Sequence, residues 1–238
     1  MKTKILIITG GTGGHLYPAL AIAEAIAKRN VEVIFVTRKN PNDIEIIKRS
    51  GFKYYTIPAS GFMTKNLRNK ILSLFNLFLG TFVFLKIFWT IKPQFLIASG
   101  CYVSVVPLIW ATIFKIQFYL LEQNVIPGRV VKYFSRYAKE IFLGFPLKRP
   151  IRGNTFYSGN PLREQIIEVA QNFNWDTRRL NKKTILILGG SQGTAFLNLV
   201  GLNLAAQLPQ LHFILLTGKQ HYNDLQCQSH IPNCELID

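Results

Sequence analysis

Gly10-Gly11-Thr12-Gly13-Gly14-His15 links the apolar run Ile5–Ile8 to an Ala-rich segment from Pro18 to Arg29. Glycines between a strand and a helix let backbone N–H groups approach a ligand closely, and the N-terminus of the helix favours an anion. Three nucleotide-site patterns compete for this loop. The dinucleotide pattern Gly-x-Gly-x-x-Gly fails, because counting from Gly11 its third glycine falls on Leu16. The second strand ends on Arg38 where an acidic residue would hold a ribose, which at best permits the 2′-phosphorylated cofactor. A Walker loop fails as well, since no Gly-Lys-Ser/Thr follows. What remains is a loop that cradles phosphate or sugar, with a histidine at its mouth. Imidazole titrates near neutrality, so His15 has the chemistry of a general base, and equally that of a helix cap or a hydrogen-bond partner for a ligand oxygen.

A second loop, Gly189-Gly190-Ser191-Gln192-Gly193, again offers backbone amides and a hydroxyl at a helix N-terminus. It suits a diphosphate leaving group, and it also fits a tight turn that binds nothing. The chain has no Asp-x-Asp and no His/Cys group at ligand spacing. The sequence therefore predicts chemistry without metal or cofactor, in which amides and cations meet the leaving-group charge. No Ser-His-Asp arrangement supports a nucleophilic mechanism.

The elements that must position these loops alternate. Strands at Ile5–Ile8, Val31–Thr37, Lys53–Ile57, Gln94–Ala98, Gln117–Glu122 and Glu140–Leu143 are separated by helical segments. Such alternation means an α/β fold with a parallel sheet covered on both faces. Residues 144–183 differ in texture, with Pro146, Pro150, Gly153, Gly159 and Pro161 before a helix from Leu162 and a polar stretch. The alternation then restarts, since ILIITGGTGGH from Ile5 has a counterpart in TILILGGSQGT from Thr184. This duplication predicts two Rossmann-like parallel-sheet domains facing each other across a cleft. The expected boundaries are 1–150 for the first domain, 151–183 for a crossover and linker, and 184–238 for the start of the second. Doubly wound domains need about 100 residues or more, so the second is expected to be incomplete and its fragment marginally stable.

The chain of 238 residues carries 28 Lys+Arg against 12 Asp+Glu, a formal charge of +16. At 49% hydrophobic it is not a disordered chain. The charge is lopsided: residues 1–150 hold 21 Lys/Arg and 6 Asp/Glu, and residues 151–238 hold 7 and 6. No nucleic-acid recognition motif accompanies it, so a nucleic-acid partner is not expected. Three cysteines make no disulfide framework, and the first apolar run is too short for a signal-peptide core, which together predict a cytosolic compartment. The most apolar stretch, Ile71–Ile91, has an uncharged core of 15 residues against the ~20 a spanning helix needs. Lys65, Arg68, Lys70, Lys86 and Lys92 flank it, a pattern suited to lying on an anionic leaflet with the opposite face in the core.

GGTGGHLYPALAIAEAI resembles the opening signature of the MurG-type transferases, the UDP-N-acetylglucosamine:lipid I enzymes of peptidoglycan synthesis. The resemblance continues, in the family's order, through Ser99-Gly100-Cys101-Tyr102-Val103-Ser104, Leu121-Glu122-Gln123-Asn124, Gly159-Asn160-Pro161-Leu162-Arg163 and the Gly189–Gly193 loop. It implies the GT-B fold and an inverting transfer of N-acetylglucosamine (GlcNAc) from UDP-GlcNAc to the undecaprenyl-linked acceptor lipid I. The enzyme would lie peripherally on the cytoplasmic face of the bacterial inner membrane. By the same resemblance Thr12, Gly13 and Gly14 would line the site between donor sugar and acceptor diphosphate, with His15 as the base. Tyr102 and Ser104 would lie near the acceptor diphosphate, Asn124 would hydrogen-bond the GlcNAc, and Glu122 of the same motif would bind substrate. Arg163 and Ser191 would contact the UDP phosphates, Gln192 beside Ser191 would bind substrate, and Ile237 would lead into the nucleotide pocket.

Two departures stand out. The second glycine loop usually reads Gly-Gly-Tyr-Val-Ser-Gly-Pro, and here Cys101 and Val105 replace glycines; the family's His-Glu-Gln-Asn begins with Leu121. Because the segment carrying the uracil and ribose contacts is not in the sequence, a rival expectation is a non-catalytic remnant that binds only membrane or lipid I.

Overall fold

The strand Lys4–Ile8 (β1) sends Leu6 and Ile8 into one apolar layer and Ile5 and Ile7 into another, all four fully buried. Period-two alternation between two apolar faces is why the strand reads as a continuous hydrophobic run. Glu32–Arg38 (β2), Phe95–Ala98 (β4), Phe118–Glu122 (β5) and Glu140–Leu143 (β6) divide their side chains in the same way. With Lys53–Ile57 (β3) and Thr155–Tyr157 (β7) they form a seven-stranded, all-parallel sheet in the order β3-β2-β1-β4-β5-β6-β7. The computed structural model describes residues 2–61, 67–173, 183–190, 193–228 and 231–238.

Helices cover the two faces unequally. On one lie Gly13–Ala27 (α1), which buries Leu16, Ala19, Leu20 and Ala23, and Pro41–Arg49 (α2), which buries Ile47. The other face takes Leu67–Ile91 (α3), Val105–Ile113 (α4) and Arg129–Phe134 (α5). Beside α1 the first face carries an apolar pocket of about 560 Å³, lined by Ile22 and Ile26 together with Phe95, Tyr119 and Phe142.

α3 is apolar all round, yet only one side of it enters the core. Gly80, Phe84, Ile87, Phe88 and Ile91, at helical spacing, are buried. Ile71, Leu74, Phe75, Phe78, Phe82 and Trp89 are each more than half exposed. Among the described residues this is one helix long and apolar enough by composition to cross a membrane. Its buried side packs against β3 and α4, so it is built into the first unit.

The chain divides into compact units at Met1–Asn172 and Phe173–Asp238. The first therefore extends past the expected limit at residue 150. The reason is β7, whose Thr155–Tyr157 pair in parallel with β6, and which leads into the helix Glu164–Asn172 (α6). β7 is an exposed edge strand between glycines, without the buried face that gives a strand its pattern. The second unit has strands Thr184–Leu188 (β8), His212–Leu216 (β9) and Cys234–Ile237 (β10), parallel in the order β10-β9-β8, with helices Ala195–Gln207 (α7) and Lys219–Gln228 (α8). Its core gathers around Ala205, Phe213 and Leu215, while Leu186, Leu188, Phe196 and Leu199 are more than half exposed. The two side-chain N–H groups of Asn233 are shared among three carbonyls, Ala205, Leu208 and Leu211, and so close the end of α7.

Gly80 lets α3 approach the backbone after β3, where an added Cβ would lie 2.7 Å from the Pro58 carbonyl oxygen. Helix propensity alone says Gly80→Ala stabilises by up to about 1 kcal/mol. Overpacking against backbone costs about 1–3 kcal/mol. The expected outcome is a lower urea midpoint for Gly80→Ala; a higher midpoint would show that α3 does not pack so closely.

Candidate active site

In a parallel sheet the strands all end on one side, and their following loops gather there. Ile8 is in register with Val36 and Ala98, Ala98 with Leu120, and Glu122 with Leu143. The loops after β1, β4 and β5 are thus neighbours, although they are far apart in sequence.

The first loop turns through Gly10 (φ 140°) and Gly11 (φ 98°), where L side chains are strained. A Cβ on Gly10 would also fall 2.7 Å from Thr37 Oγ1. Thr12 is the N-cap of α1, is exposed, and makes no side-chain capping hydrogen bond. Gly13 and Gly14 open the helix, and the N–H groups of a first turn have no intrahelical acceptor. They are the anion-ready amides expected from the sequence. His15 follows on the same turn, its N–H and that of Leu16 both bonded to the Thr12 carbonyl at 3.1 Å. Thr9 Oγ1 donates to the His15 carbonyl at 3.0 Å and accepts from Ser99 Oγ at 3.0 Å, which ties the first loop to the end of β4.

A charged bridge ties the same two loops a second time. Asp43 on α2 is nearly buried; its Oδ2 accepts the Gly11 N–H at 3.0 Å and the Arg38 Nε–H at 3.3 Å. Arg38 at the end of β2 also donates Nη1 to the Tyr102 hydroxyl at 2.7 Å and Nη2 to the Gly11 carbonyl at 3.4 Å. Burial alone would lower the Arg38 pKa, but Tyr102 and Asp43 beside it raise it, so the guanidinium stays charged. Neither Arg38 nor Asp43 was expected in the site. In the sequence Arg38 reads at best as a cofactor discriminator and Asp43 carries no role, and only the fold brings them to Gly11 and Tyr102.

The second loop explains its own departures from the family pattern. The left-handed position is Gly100 (φ 71°), while Cys101 has φ −77° and Val105 φ −58°, conformations any residue adopts. Cys101 is buried in the core, where burial pushes its thiol pKa up against weaker lowering by Ser104 and Ser99. Ser104, expected at the acceptor diphosphate, is fully buried, with its hydroxyl 3.6 Å from the Cys101 sulfur; the structure turns it inward, and Tyr102 is the half-buried member of the pair. Leu121 belongs to the apolar cluster under α1, where a leucine packs well.

At the end of β5, Glu122 is buried and its carboxylate accepts three N–H groups of its own loop. These are Asn124 N and Asn124 Nδ2, both at 2.9 Å to Oε1, and Gly128 N at 2.7 Å to Oε2. Glu122 therefore shapes the loop that presents the exposed Asn124. Gln123, given no role in the sequence reading, places its Oε1 3.1 Å from His15 Nδ1. Arg163 stacks on the Tyr17 ring of α1, with Cζ 4.3 Å from its centroid, a contact worth about 0.5–2 kcal/mol. Two residues along the helix from His15, this brings the expected phosphate ligand to the same helix.

In the second unit Ser191 and Gln192 lie outside the described residues. Among the described neighbours, Thr194 Oγ1 donates to the Gly189 carbonyl at 2.9 Å and Gly193 N to the Gly190 carbonyl at 3.1 Å. Asn198 is buried and donates to the Thr217 carbonyl at 3.1 Å. Thr217 N and Oγ1 both donate to the Ile237 carbonyl, at 2.8 and 3.0 Å, while the Ile237 side chain is partly exposed.

Residues 5–143 match the glycosyltransferase family 28 N-terminal domain. Over the described fold, the crystal structure of MurG from Acinetobacter baumannii aligns with a TM-score of 0.69 at 21% identity, covering 100% of this chain and 67% of that one. The calicheamicin glycosyltransferase CalG4 aligns with a TM-score of 0.66 at 13% identity, covering 100% and 70%. Sheet topology and these likenesses define a GT-B glycosyltransferase fold. Two curated relatives carry the name UDP-N-acetylglucosamine–N-acetylmuramyl-(pentapeptide) pyrophosphoryl-undecaprenol N-acetylglucosamine transferase. The one from Sulfurihydrogenibium sp. is 32% identical over 98% of this chain and 65% of its own length. That from Thermosipho africanus is 33% identical over 99% and 67%. The chain belongs to the MurG-type transferases of glycosyltransferase family 28, and it spans about two-thirds of the length of these relatives.

Proposed function

We propose that the protein transfers GlcNAc from UDP-GlcNAc to the 4-hydroxyl of the N-acetylmuramyl sugar of lipid I, in one displacement with inversion. The observation that carries this reading is His15 on the first turn of α1, among the loops after β1, β4 and β5. The acceptor hydroxyl gives its proton to His15 as its oxygen forms the new bond to the sugar's anomeric carbon. The bond from that carbon to UDP breaks, and the electron pair leaves on the diphosphate. Thr12, Gly13 and Gly14 present amides to the acceptor diphosphate beside Tyr102, with Arg38 adding positive charge. Asn124, held by Glu122, binds the GlcNAc, and Arg163, Ser191 and Gln192 stabilise departing UDP. Ile237 borders the nucleotide.

The acceptor carries a polyprenyl chain, so the protein must work at a membrane surface. The exposed side of α3, with Phe75, Phe78 and Phe82 outward and Lys86 and Lys92 exposed toward its end, supports docking on an anionic leaflet from the cytoplasmic side.

Two measurements test the reading. In the full-length protein, His15→Ala is expected to lower kcat for transfer from UDP-GlcNAc by ~10²–10⁴-fold; an unchanged kcat would rule out the base assignment. Phe78→Ser with Phe82→Ser is expected to weaken partition into anionic phospholipid vesicles by ~10-fold or more, from the lost apolar burial. Unaltered vesicle binding with intact folding would move the docking surface elsewhere.

A further inference from the structure

His15 Nδ1 faces an amide oxygen, Gln123 Oε1, at 3.1 Å. An amide oxygen can only accept, so this contact places the proton of the neutral imidazole on Nδ1 and leaves the lone pair on Nε2. We propose that Gln123 is a positioning residue that holds His15 in the Nδ1–H tautomer and in the orientation that turns Nε2 toward the acceptor hydroxyl. This role rests on the reading of His15 as the base.

Both ends of the contact are pinned. On the histidine side, His15 N–H is bonded to Thr12 and its carbonyl to Thr9, which Ser99 holds in turn. On the glutamine side, the neighbouring Glu122 is buried and fixes the backbone N–H groups of Asn124 and Gly128. A side chain leaving a strand end between two such anchors has little room to wander, and a ring held by one fixed acceptor loses its freedom to flip. Because the partner is an amide, it orients the ring without placing a negative charge beside it. Gln123 therefore selects a tautomer and supplies no counter-ion to the imidazolium that forms during transfer.

Imidazole nitrogen NMR and steady-state kinetics on the full-length protein test this together. The wild-type His15 spectrum is expected to show the Nδ1–H tautomer. Gln123→Leu should shift it toward Nε2–H and lower kcat by about 10- to 100-fold, short of the loss on removing the base, with KM for UDP-GlcNAc unchanged. Gln123→Glu, which still accepts from Nδ1–H, should restore both the tautomer and most of kcat. A wild-type Nε2–H tautomer overturns the proposal even if the leucine variant does not fold, and so does a leucine variant with kcat within twofold of wild type. If His15→Ala proves as fast as wild type, the base reading fails on its own, while the tautomer spectra still decide what Gln123 does to the ring.

Discussion

A parallel sheet forces every strand-to-helix connection to the same side, and the first unit depends on that constraint. β1, β2, β4, β5 and β6 all end on the same side of the sheet, so Gly11, Arg38, Tyr102, Gln123 and Gly144 come from five strand ends and connections of one chain and gather along one edge. The apolar layers on both faces of the sheet fix this edge. Buried alternation in β1 and β4 locks register, because a one-residue slip would exchange the contents of the two layers. The chemistry sits on loops, but the loops take their places from strands that cannot move.

Neighbouring loops still need to be held at a definite spacing, and here charge does what packing does below. Asp43 and Arg38 are partly exposed at most, and between them they engage Gly11 on both its N–H and its carbonyl and Tyr102 on its hydroxyl. Removing either would leave a nearly buried charge or a peptide N–H without its partner, which costs about 1–3 kcal/mol. Thr9 and Ser99 make a second, uncharged link between the same loops. The outward side of α3 belongs to the same unit as these loops, so a surface that would rest on lipid is built on the same rigid sheet as the residues that would meet a lipid-linked acceptor.

Much of this was legible in the residues. The strands Lys53–Ile57 and Glu140–Leu143 fall where the sequence predicts them, and the duplicated strand-glycine-helix units are the openings of β1–α1 and β8–α7. β7 and α8 were not, for a physical reason. An exposed three-residue edge strand and a polar helix bury no periodic face for a pattern to reveal. The glycine loops announce an anion site because glycine has few other uses between a strand and a helix. The bridge of Arg38 to Tyr102, 64 residues apart, and the meeting of His15 with Gln123, 108 apart, arise only from sheet order. Ser104 illustrates the converse: its place in the motif points to ligand, and the 3-10 turn Tyr102–Ser104 rotates it into the core beside Cys101.

The proposed acceptor site is the run of glycine loops along this edge, whose Gln123 and Gly144 also border the pocket beside α1, and not that pocket's aromatic wall of Phe95, Tyr119 and Phe142. Amide hydrogen exchange of the chain with and without a short-chain, diphosphate-linked N-acetylmuramyl peptide measures it directly. The account predicts slowed exchange at residues 11–15, 100–104 and 123–128, with little change at Phe95, Tyr119 and Phe142. Protection centred on those three aromatic residues, with the glycine loops unaffected, would contradict it.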